Sequence, residues 1–129
     1  IDGIPQQLSQ LFGNLLSNSL KFSKDVVAPE VSISSERVSR EEIHEKKLDE
    51  TIKYHKITFK DNGIGFDQAF AEKIFVIFQR LNERSKFEGT GIGLALCRKI
   101  VTIHCGEIYA ESKEGEGAEF HIILPEKQR

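Results

Sequence analysis

The feature that most constrains the fold is a carboxylate followed by glycines, in residues 61–66 with the sequence DNGIGF. Residues 55–61 alternate in polarity, which predicts a β-strand with Ile57, Phe59 and Asp61 on one face. A charged group on an apolar face is costly to bury, so Asp61 needs a specific donor or a place where the strand leaves the core. The glycines allow a turn and the close approach of a flat ligand. This run therefore predicts a nucleotide-base pocket in which Asp61 accepts a hydrogen bond from an exocyclic amine.

The composition indicates one ordinary globular domain. The 129 residues can bury a single core, and 39% of them are hydrophobic and 29% charged. With a net charge of −2, the chain has no global attraction to nucleic acid or to a membrane surface. No segment approaches the ~20 apolar residues of a membrane span, and the first residues do not resemble a signal peptide. We expect no nucleic-acid partner and no membrane contact by this domain.

The two cysteines, Cys97 and Cys105, stand within or just after one predicted helix. Their separation along the helix axis is too long for a disulfide. The spacing also does not match that of a metal site. Both are therefore predicted to be reduced packing residues, as is typical of a cytoplasmic protein.

An amphipathic helix is predicted over residues 5–22. Pro5 suits a first helical turn, and apolar residues follow at helical spacing, namely Leu8, Leu11, Phe12, Leu15, Leu16 and Leu20. Asn14, Asn18 and Lys21 share a narrow sector away from that stripe. A solvated polar face is one interpretation, but asparagine is a poor helix former. The second interpretation is a binding face, because amide oxygens can ligate Mg²⁺ and lysine can pair with phosphate.

A charged segment separates two predicted strands. Residues 31–35 alternate as a short strand, whereas residues 36–53 are dominated by Glu, Lys, Arg and Asp without a sustained apolar face. This charged segment is predicted to be a solvated hairpin excursion between antiparallel strands, and a partner-binding insert is the competing interpretation. His44 and Glu45 inside it superficially match a phospho-accepting histidine, but an exposed bystander is the simpler interpretation.

The second half of the chain contains a helical segment and a hairpin. Apolar residues at helical spacing over residues 70–81 are Phe70, Ile74, Phe75, Ile77, Phe78 and Leu81, and they predict a core-facing helix. Residues 107–112 and 118–124 have the pattern of strands around a glycine-containing turn, which predicts a β-hairpin. His104 and His121 are assigned to packing or the surface, because neither has a nucleophile or metal ligands nearby in sequence.

A glycine run at residues 89–94, GTGIGL, leads into an apolar helical pattern that Gly106 is predicted to cap. Glycines that open a helix present free N–H groups and the positive end of the helix dipole, which favours phosphate binding. The run lacks the Lys-Ser/Thr ending of a P-loop and does not follow a strand as a Rossmann fingerprint would. The segment that precedes it, residues 82–88, is short and consists mostly of charged and polar residues.

Four motifs, in order, resemble the boxes of sensor histidine kinases. Residues 14–23 (NLLSNSLKFS) resemble the asparagine box, 61–66 the first glycine box, 75–80 (FVIFQR) the phenylalanine box and 89–94 the second glycine box. The resemblance implies that residues 1–129 form one catalytic and ATP-binding domain. It also implies the fold shared with gyrase-type topoisomerases and heat-shock chaperones, a two-layer α/β sandwich with a mixed β-sheet and helices packed on one face.

The resemblance also implies the site residues. Asn18 is similar to the Mg²⁺ ligand, Asn14 and Lys21 lie near the phosphates of ATP, and Arg80 is a further catalytic candidate that contacts phosphate. Residues 82–90 correspond to the ATP lid. The nucleotide-binding set implied in this way comprises Asn14, Asn18, Lys21, Phe22, Asp61, Gly63, Gly65, Phe66, Gly89, Thr90, Gly91, Ile92, Gly93 and Leu94.

Two departures from the family pattern matter. Many relatives carry Ser or Thr near the start of the last strand, where Ala118 and Glu119 stand here, so the support of Asp61 is expected to differ, through water for example. The phospho-accepting histidine helix that precedes this domain in the family is absent from these residues. The acceptor is therefore expected on a separate dimerisation domain of the same parent protein, with a response regulator downstream.

The leading prediction is Mg·ATP binding and γ-phosphoryl transfer to that histidine, with catalysis mostly by positioning and charge neutralisation. An ATPase of the same fold is the main competing function. Such ATPases place a glutamate one turn before the Mg²⁺ asparagine, and Asn14 at that position cannot act as a general base. Two further candidate functions are a serine kinase of this fold and a non-catalytic nucleotide-binding module. The binding module is disfavoured because Asn18 and Asp61 are intact.

Overall fold

The fold is a four-stranded sheet with two long helices on one face. A computed structural model describes residues 3–21, 28–75 and 90–126, with the backbone alone described in residues 19–21 and 90–93. The elements in chain order are α1 (Pro5–Lys21), β1 (Val31–Arg37), α2 (Arg40–Glu45), β2 (Tyr54–Asp61), α3 (Thr90–Ile103), β3 (Glu107–Ser112) and β4 (Ala118–Pro125). The strand order in the sheet is β1-β2-β4-β3.

The predicted α/β sandwich is confirmed, and so are the first helix, the strands and the C-terminal hairpin. The expected mixed sheet is not what this part of the chain forms. All three strand pairings within the described residues are antiparallel. A short turn joins β3 and β4, and strands joined in this way run antiparallel. The strand β2 also pairs antiparallel with β4 in the middle of the sheet.

The main core lies between the sheet and the helices α1 and α3. Alternation along β2 and β4 directs Phe59, Phe120 and Ile122 to this face, where each is buried. Leu11 and Leu15 of α1 meet them from the other layer, together with α3. The Phe12 ring stacks on Phe59 with centroids 5.8 Å apart, so α1 lies alongside the strand that ends at Asp61.

The charged excursion has structure and an apolar anchor. Ser39 caps the short helix α2 by accepting a hydrogen bond from the Glu42 N–H. Ile43 of α2 is buried in a second, smaller cluster on the opposite face of the sheet, with Val38, Tyr54 and Ile123. The excursion is therefore not a purely solvated connection, and the helices do not all lie on one face. Charge composition concealed this anchor because one buried residue in a six-residue helix leaves no periodic pattern.

The expected helix from residue 70 begins differently. Residues 68–75 form two 3₁₀ turns, Gln68–Phe70 and Lys73–Phe75, and the rest of the predicted helix lies outside the described residues. The Asp67 side chain accepts a hydrogen bond from the Ala69 N–H and thereby caps the first turn. Ile74 and Phe75 are buried as expected, and Phe75 packs edge-on against Phe120, but Phe70 is exposed and does not face the core.

The end of α3 also differs from expectation in one detail. The left-handed residue is Cys105, with φ 63°, and not Gly106. The Gly106 N–H donates to the Val101 carbonyl, and the Cys105 N–H donates to the Thr102 carbonyl. Gly106 is required for another reason, because a side chain there would collide with the main-chain oxygen of Ile123. The glycine follows from strand packing and not from helix capping.

His104 has the packing role expected of it. It is buried, its Nδ1 lies 2.8 Å from the Ile100 carbonyl, and its Nε2 accepts from the Ile4 N–H at 3.0 Å. These contacts assign the neutral tautomer with the proton on Nδ1. Over the three described ranges, no helix has both the length and the apolar character that a membrane crossing requires.

Candidate functional site

The centre of the site is the half-buried carboxylate of Asp61 at the end of β2. Its Oδ1 accepts hydrogen bonds from the Gly63 N–H at 2.9 Å and from the Ala118 N–H at 3.1 Å. Two main-chain donors offset much of the cost of placing a charge at the edge of the core. They also fix the orientation of the carboxylate. Both donors are main-chain groups, so these two bonds do not depend on a hydroxyl at residue 118.

The loop after Asp61 is interlocked with the turn of the β3–β4 hairpin. Gly65 has φ 66°, and a side chain there would meet the carbonyl oxygens of Lys113 and Gly117. Gly117 has φ 89°, and a side chain there would collide with the carbonyl oxygen of Asp61. The Gly115 N–H donates to the Ile64 carbonyl at 2.7 Å. Two glycines therefore let two backbones approach to contact distance beside the carboxylate.

A serine that sequence reasoning missed connects this loop and hairpin. The Ser112 hydroxyl donates to the Gly117 carbonyl at 2.7 Å and accepts from the Phe66 N–H at 2.9 Å. Gln68 adds a second connection, because its amide donates to the Ala110 carbonyl and accepts from the Ser112 N–H. No local pattern marks Ser112 or Gln68, since their partners lie more than forty residues away in most of these bonds.

Asn62 has a structural role. Its side-chain amide donates to the Ala28 carbonyl at 3.0 Å and its Oδ1 accepts from the Glu30 N–H at 2.9 Å. These bonds attach the chain before β1 to the end of β2. The polar residue between Asp61 and Gly63 is therefore explained by local folding and not by ligand chemistry.

The polar face predicted on α1 is partly described. Asn14 and Asn18 are half-buried and stand one helical turn apart. The Cys97 thiol of α3 is buried and donates to the Leu11 carbonyl of α1 at 3.9 Å. Burial raises the pKa of Cys97 to about 11, and the nearby Asn14 side chain opposes that shift. The side chain of Lys21 lies outside the description, although its backbone ends α1.

The glycine run opens a helix, as predicted, because α3 begins at Thr90 and contains Gly91 and Gly93 in its first turn. Leu94 and Phe66, both in the predicted nucleotide-binding set, are 4% and 7% exposed and belong to the main core. Phe22, Arg80 and Gly89 lie outside the described residues, as does the predicted lid up to residue 89.

The comparison with known proteins agrees with this geometry. Residues 3–128 match the family described as histidine kinase-, DNA gyrase B-, and HSP90-like ATPase. The chain is 44% identical over 119 residues to cyanobacterial phytochrome A from Nostoc sp. strain PCC 7120, covering 92% of this chain and 14% of that protein. It is 35% identical over 121 residues to the adaptive-response sensory kinase SasA from Synechococcus sp. strain JA-2-3B'a(2-13), covering 94% of this chain and 28% of that protein.

A solved structure shows the same fold. The mycobacterial sensor histidine kinase MprB superposes with a TM-score of 0.74 at 21% sequence identity, over 98% of this chain and 75% of that one. The chain spans less than a third of the length of the two curated relatives above. The resemblance to the catalytic and ATP-binding domains of sensor histidine kinases is confirmed by these matches. The chain belongs to the family of histidine kinase-, DNA gyrase B- and HSP90-like ATPases.

Proposed function

We propose that this domain binds Mg·ATP and transfers the γ-phosphoryl group to a histidine on a separate dimerisation domain of the same parent protein. A response regulator would then receive the phosphoryl group, as in two-component signalling. The observation that carries the proposal is the Asp61 carboxylate, oriented by two main-chain N–H groups beside a glycine loop. The proposal implies a cytoplasmic location, because ATP is the phosphoryl donor.

In this proposal Asp61 selects adenine. An ionised carboxylate only accepts hydrogen bonds, so it pairs with the exocyclic amine of adenine and repels the carbonyl oxygen that guanine carries at the same place. The glycines at 63 and 65 leave room for the flat base. Phe66 would act indirectly, since its buried ring anchors the loop in the core.

The phosphates would lie at the N-terminal end of α3, beside the glycine run of residues 89–93. The first main-chain N–H groups of a helix have no carbonyl partner within it, and the helix dipole favours anions at this end. Lys21 and Arg80 would add positive charge, and Phe22 would flank the nucleotide. Leu94 would hold this end of the helix in the core, where it is buried.

Asn18 would hold Mg²⁺ at the phosphates. Its amide oxygen is a hard, neutral ligand on a half-buried helix face, which fits an ion that takes oxygen ligands and keeps several waters. Bound Mg²⁺ neutralises the charge of the transferring phosphoryl group. The residues of this chain then orient the phosphates and leave the γ-phosphoryl group open to an incoming imidazole.

The residue at position 14 supports a kinase over an ATPase, because it is an asparagine. An amide has no basic lone pair that could take a proton from water, so Asn14 offers no general base where an ATPase of this fold needs one. We assign the whole of residues 1–129 to one such domain, with residues 82–90 as the ATP lid. A serine kinase of this fold would differ in the acceptor that it phosphorylates.

The test is calorimetric titration of the chain with ATP and GTP in the presence of Mg²⁺, comparing wild type with Asp61→Asn. The amide still accepts from the Gly63 and Ala118 N–H groups but also presents a donor toward the base amine. ATP affinity should fall at least about tenfold, as expected for loss of a hydrogen bond to a charged group. Asp67→Asn is the matched control, because Asp67 also accepts a main-chain N–H but lies outside the proposed pocket. Equal affinity of the wild type for ATP and GTP would rule out the role given to Asp61.

A further inference from the structure

Two glutamates face each other on the sheet surface opposite α1 and α3. Glu111 of β3 and Glu119 of β4 are direct cross-strand partners, and His121 lies two residues beyond Glu119 on the same face. Like charges directly opposite each other destabilise a strand pair. Lys60 is the partner of Glu119 on the other side, yet no ion pair joins them within the described residues. Lys60 therefore does not relieve the repulsion, and Glu111 instead contacts the His121 ring.

His121 is 8% exposed, and its ring is fixed from two directions. The Tyr109 ring stacks on it with centroids 4.7 Å apart and planes inclined by 16°, and Nδ1 lies 3.1 Å from the Thr58 hydroxyl. A histidine whose Nδ1 is held by an outer partner presents Nε2 in a defined direction. Lys46 lies 3.9 Å from the centroid of the Tyr109 ring and completes the stack.

The Nε2 atom of His121 is buried and has no hydrogen-bond partner among the described residues, although Glu111 Oε1 lies only 2.9 Å away. The two atoms are within ion-pair distance, but their arrangement is not that of a hydrogen bond. A protonated ring would meet Glu111 as an ion pair, whereas a metal ion shared by nitrogen and oxygen would satisfy both atoms and also draw in Glu119.

The three side chains can converge on one ion. One ligand atom from each of Glu111, Glu119 and His121 lies within 4.8 Å of the other two. Ligands about 2.0–2.2 Å from a single ion are at most about 4.4 Å apart, so rotation of the exposed Glu111 carboxylate closes the remaining gap. Glu111 and Glu119 also border an open groove of about 300 Å³, which Asp61 and Ala118 line as well and through which an ion can enter.

We propose that Glu111, Glu119 and His121 form a binding site for a divalent transition-metal ion, with Zn²⁺ as the preferred ion. One imidazole nitrogen and two carboxylate oxygens match the ligands that Zn²⁺ takes in proteins, and the groove leaves a fourth position for water or an incoming ligand. Mg²⁺ prefers oxygen ligands and retains its waters, so it should compete poorly. The three ligands lie on the sheet face opposite to Asp61, so their binding of a metal ion can be tested without nucleotide.

The experiment is calorimetric titration of the chain with Zn²⁺, without nucleotide, for wild type, Glu111→Gln, Glu119→Gln and His121→Gln. We expect one equivalent to bind to the wild type and each variant to bind at least about tenfold more weakly. Glu107→Gln is the control on the same strand and face, and His44→Gln is the control for an exposed histidine near a glutamate. Both controls should bind within about twofold of the wild type.

Titration with Co²⁺ gives a second readout. Nitrogen and oxygen ligands should produce visible d–d bands without a thiolate charge-transfer band, and the bands should be lost in Glu111→Gln. His121→Gln removes a buried ring, so thermal unfolding checks whether this variant is folded. If it is not folded, the two glutamate variants alone test the proposal. Unchanged Zn²⁺ affinity in both glutamate variants, or loss of binding in His44→Gln, would overturn the proposal. Absence of Zn²⁺ binding to the wild type would do the same.

Discussion

The main-chain N–H of Ala118 donates a hydrogen bond to Oδ1 of Asp61 at 3.1 Å. Ala118 begins β4 and follows Gly117, where a side chain would collide with the carbonyl oxygen of Asp61. The carboxylate is therefore held by a hairpin that lies more than fifty residues away in sequence. The base pocket that we propose depends on the β3–β4 turn as much as on residues 61–66.

Gly117→Ala is expected to destabilise the fold more than Gly115→Ala. Both glycines are left-handed, with φ 89° and 80°, so alanine adds roughly 1–2 kcal/mol of backbone strain at either position. A methyl group at residue 117 would also collide with the carbonyl oxygen of Asp61, whereas the space around Gly115 is open. Urea unfolding of the two variants measures the difference. Equal losses of unfolding free energy would show that the close approach is unimportant.

Ser112→Ala is expected to lower the free energy of unfolding by about 1–3 kcal/mol, because the Gly117 carbonyl and the Phe66 N–H both lose their partner. ATP affinity should fall as well, since the loop after Asp61 loses its connection to the hairpin. Ser34→Ala, at an exposed position of β1, is the control and should change neither quantity. The measurements are denaturant unfolding and ATP titration. If the Ser112→Ala variant is destabilised but its ATP affinity is unchanged, the serine stabilises the fold without shaping the pocket.

The two cysteines should differ in reactivity. Cys97 is buried with a pKa raised to about 11, whereas Cys105 is exposed. Iodoacetamide at about pH 8 should therefore modify one thiol in the native chain and two in denaturant, because the thiolate is the nucleophile. Cys105→Ser should abolish the native reaction. Rapid native labelling of Cys105→Ser would contradict the packing of Cys97 between α1 and α3.

The same pKa predicts an effect on stability at high pH. The folded state holds the Cys97 proton more tightly than the unfolded chain, so this contribution is complete below about pH 8.5 and is lost as the pH rises toward the folded value of about 11. Cys97→Ala should therefore show a weaker loss of stability over that range than the wild type. The free energy of unfolding of both proteins is measured by denaturant unfolding at several pH values. If it fell equally steeply with pH in both proteins, this prediction would be contradicted.

The isolated chain should neither hydrolyse ATP nor label itself above background. Addition of a histidine-bearing helical domain from the parent protein should restore phosphoryl transfer, because proximity can contribute several kcal/mol of barrier lowering. Asn18→Ala should abolish that transfer, and Ser17→Ala, at an exposed position on the same helix, should not. Acid-labile labelling from γ-labelled ATP is the assay.

Replacement of each of His44, His55, His104 and His121 gives the control for this assay. Strong labelling of the chain alone that disappears in one of these four variants would place the acceptor inside the domain. We expect labelling only when the second domain is present, and we expect none of the four histidine substitutions to affect it.

Periodic patterns predicted the elements of the fold well. The stripe on α1 and the alternation in β2 and β4 mark the side chains that face the main core, so they are visible in the sequence directly, although β4 is buried on both faces. The four motifs indicated the family and the residues that are expected to form the site. Asp61 itself was found because a carboxylate at an inward position of a strand requires a donor, and two donors are present.

What sequence could not supply depends on contacts between distant residues. Ser112 meets Phe66 only after the hairpin packs on the loop, and Glu111 meets His121 only because β3 and β4 pair in this register. Asp67 caps the 3₁₀ turn at Gln68–Phe70, and the apolar spacing of residues 70–81 does not reveal that this segment begins with 3₁₀ turns. The left-handed Cys105 follows from how α3 ends against the sheet, not from a preference of cysteine.

The interlocked turn at residues 113–117 has a consequence for protein engineering. Hairpin turns are usually the most permissive places for an inserted tag, a fused reporter or new chain termini. Here the turn packs against the loop after Asp61. The Gly115 N–H donates to the Ile64 carbonyl, and Gly117 lies against the Asp61 carbonyl, so an insertion would disturb the carboxylate. The exposed residues 49–51, between α2 and β2, are the better place to join a sensor module to this domain.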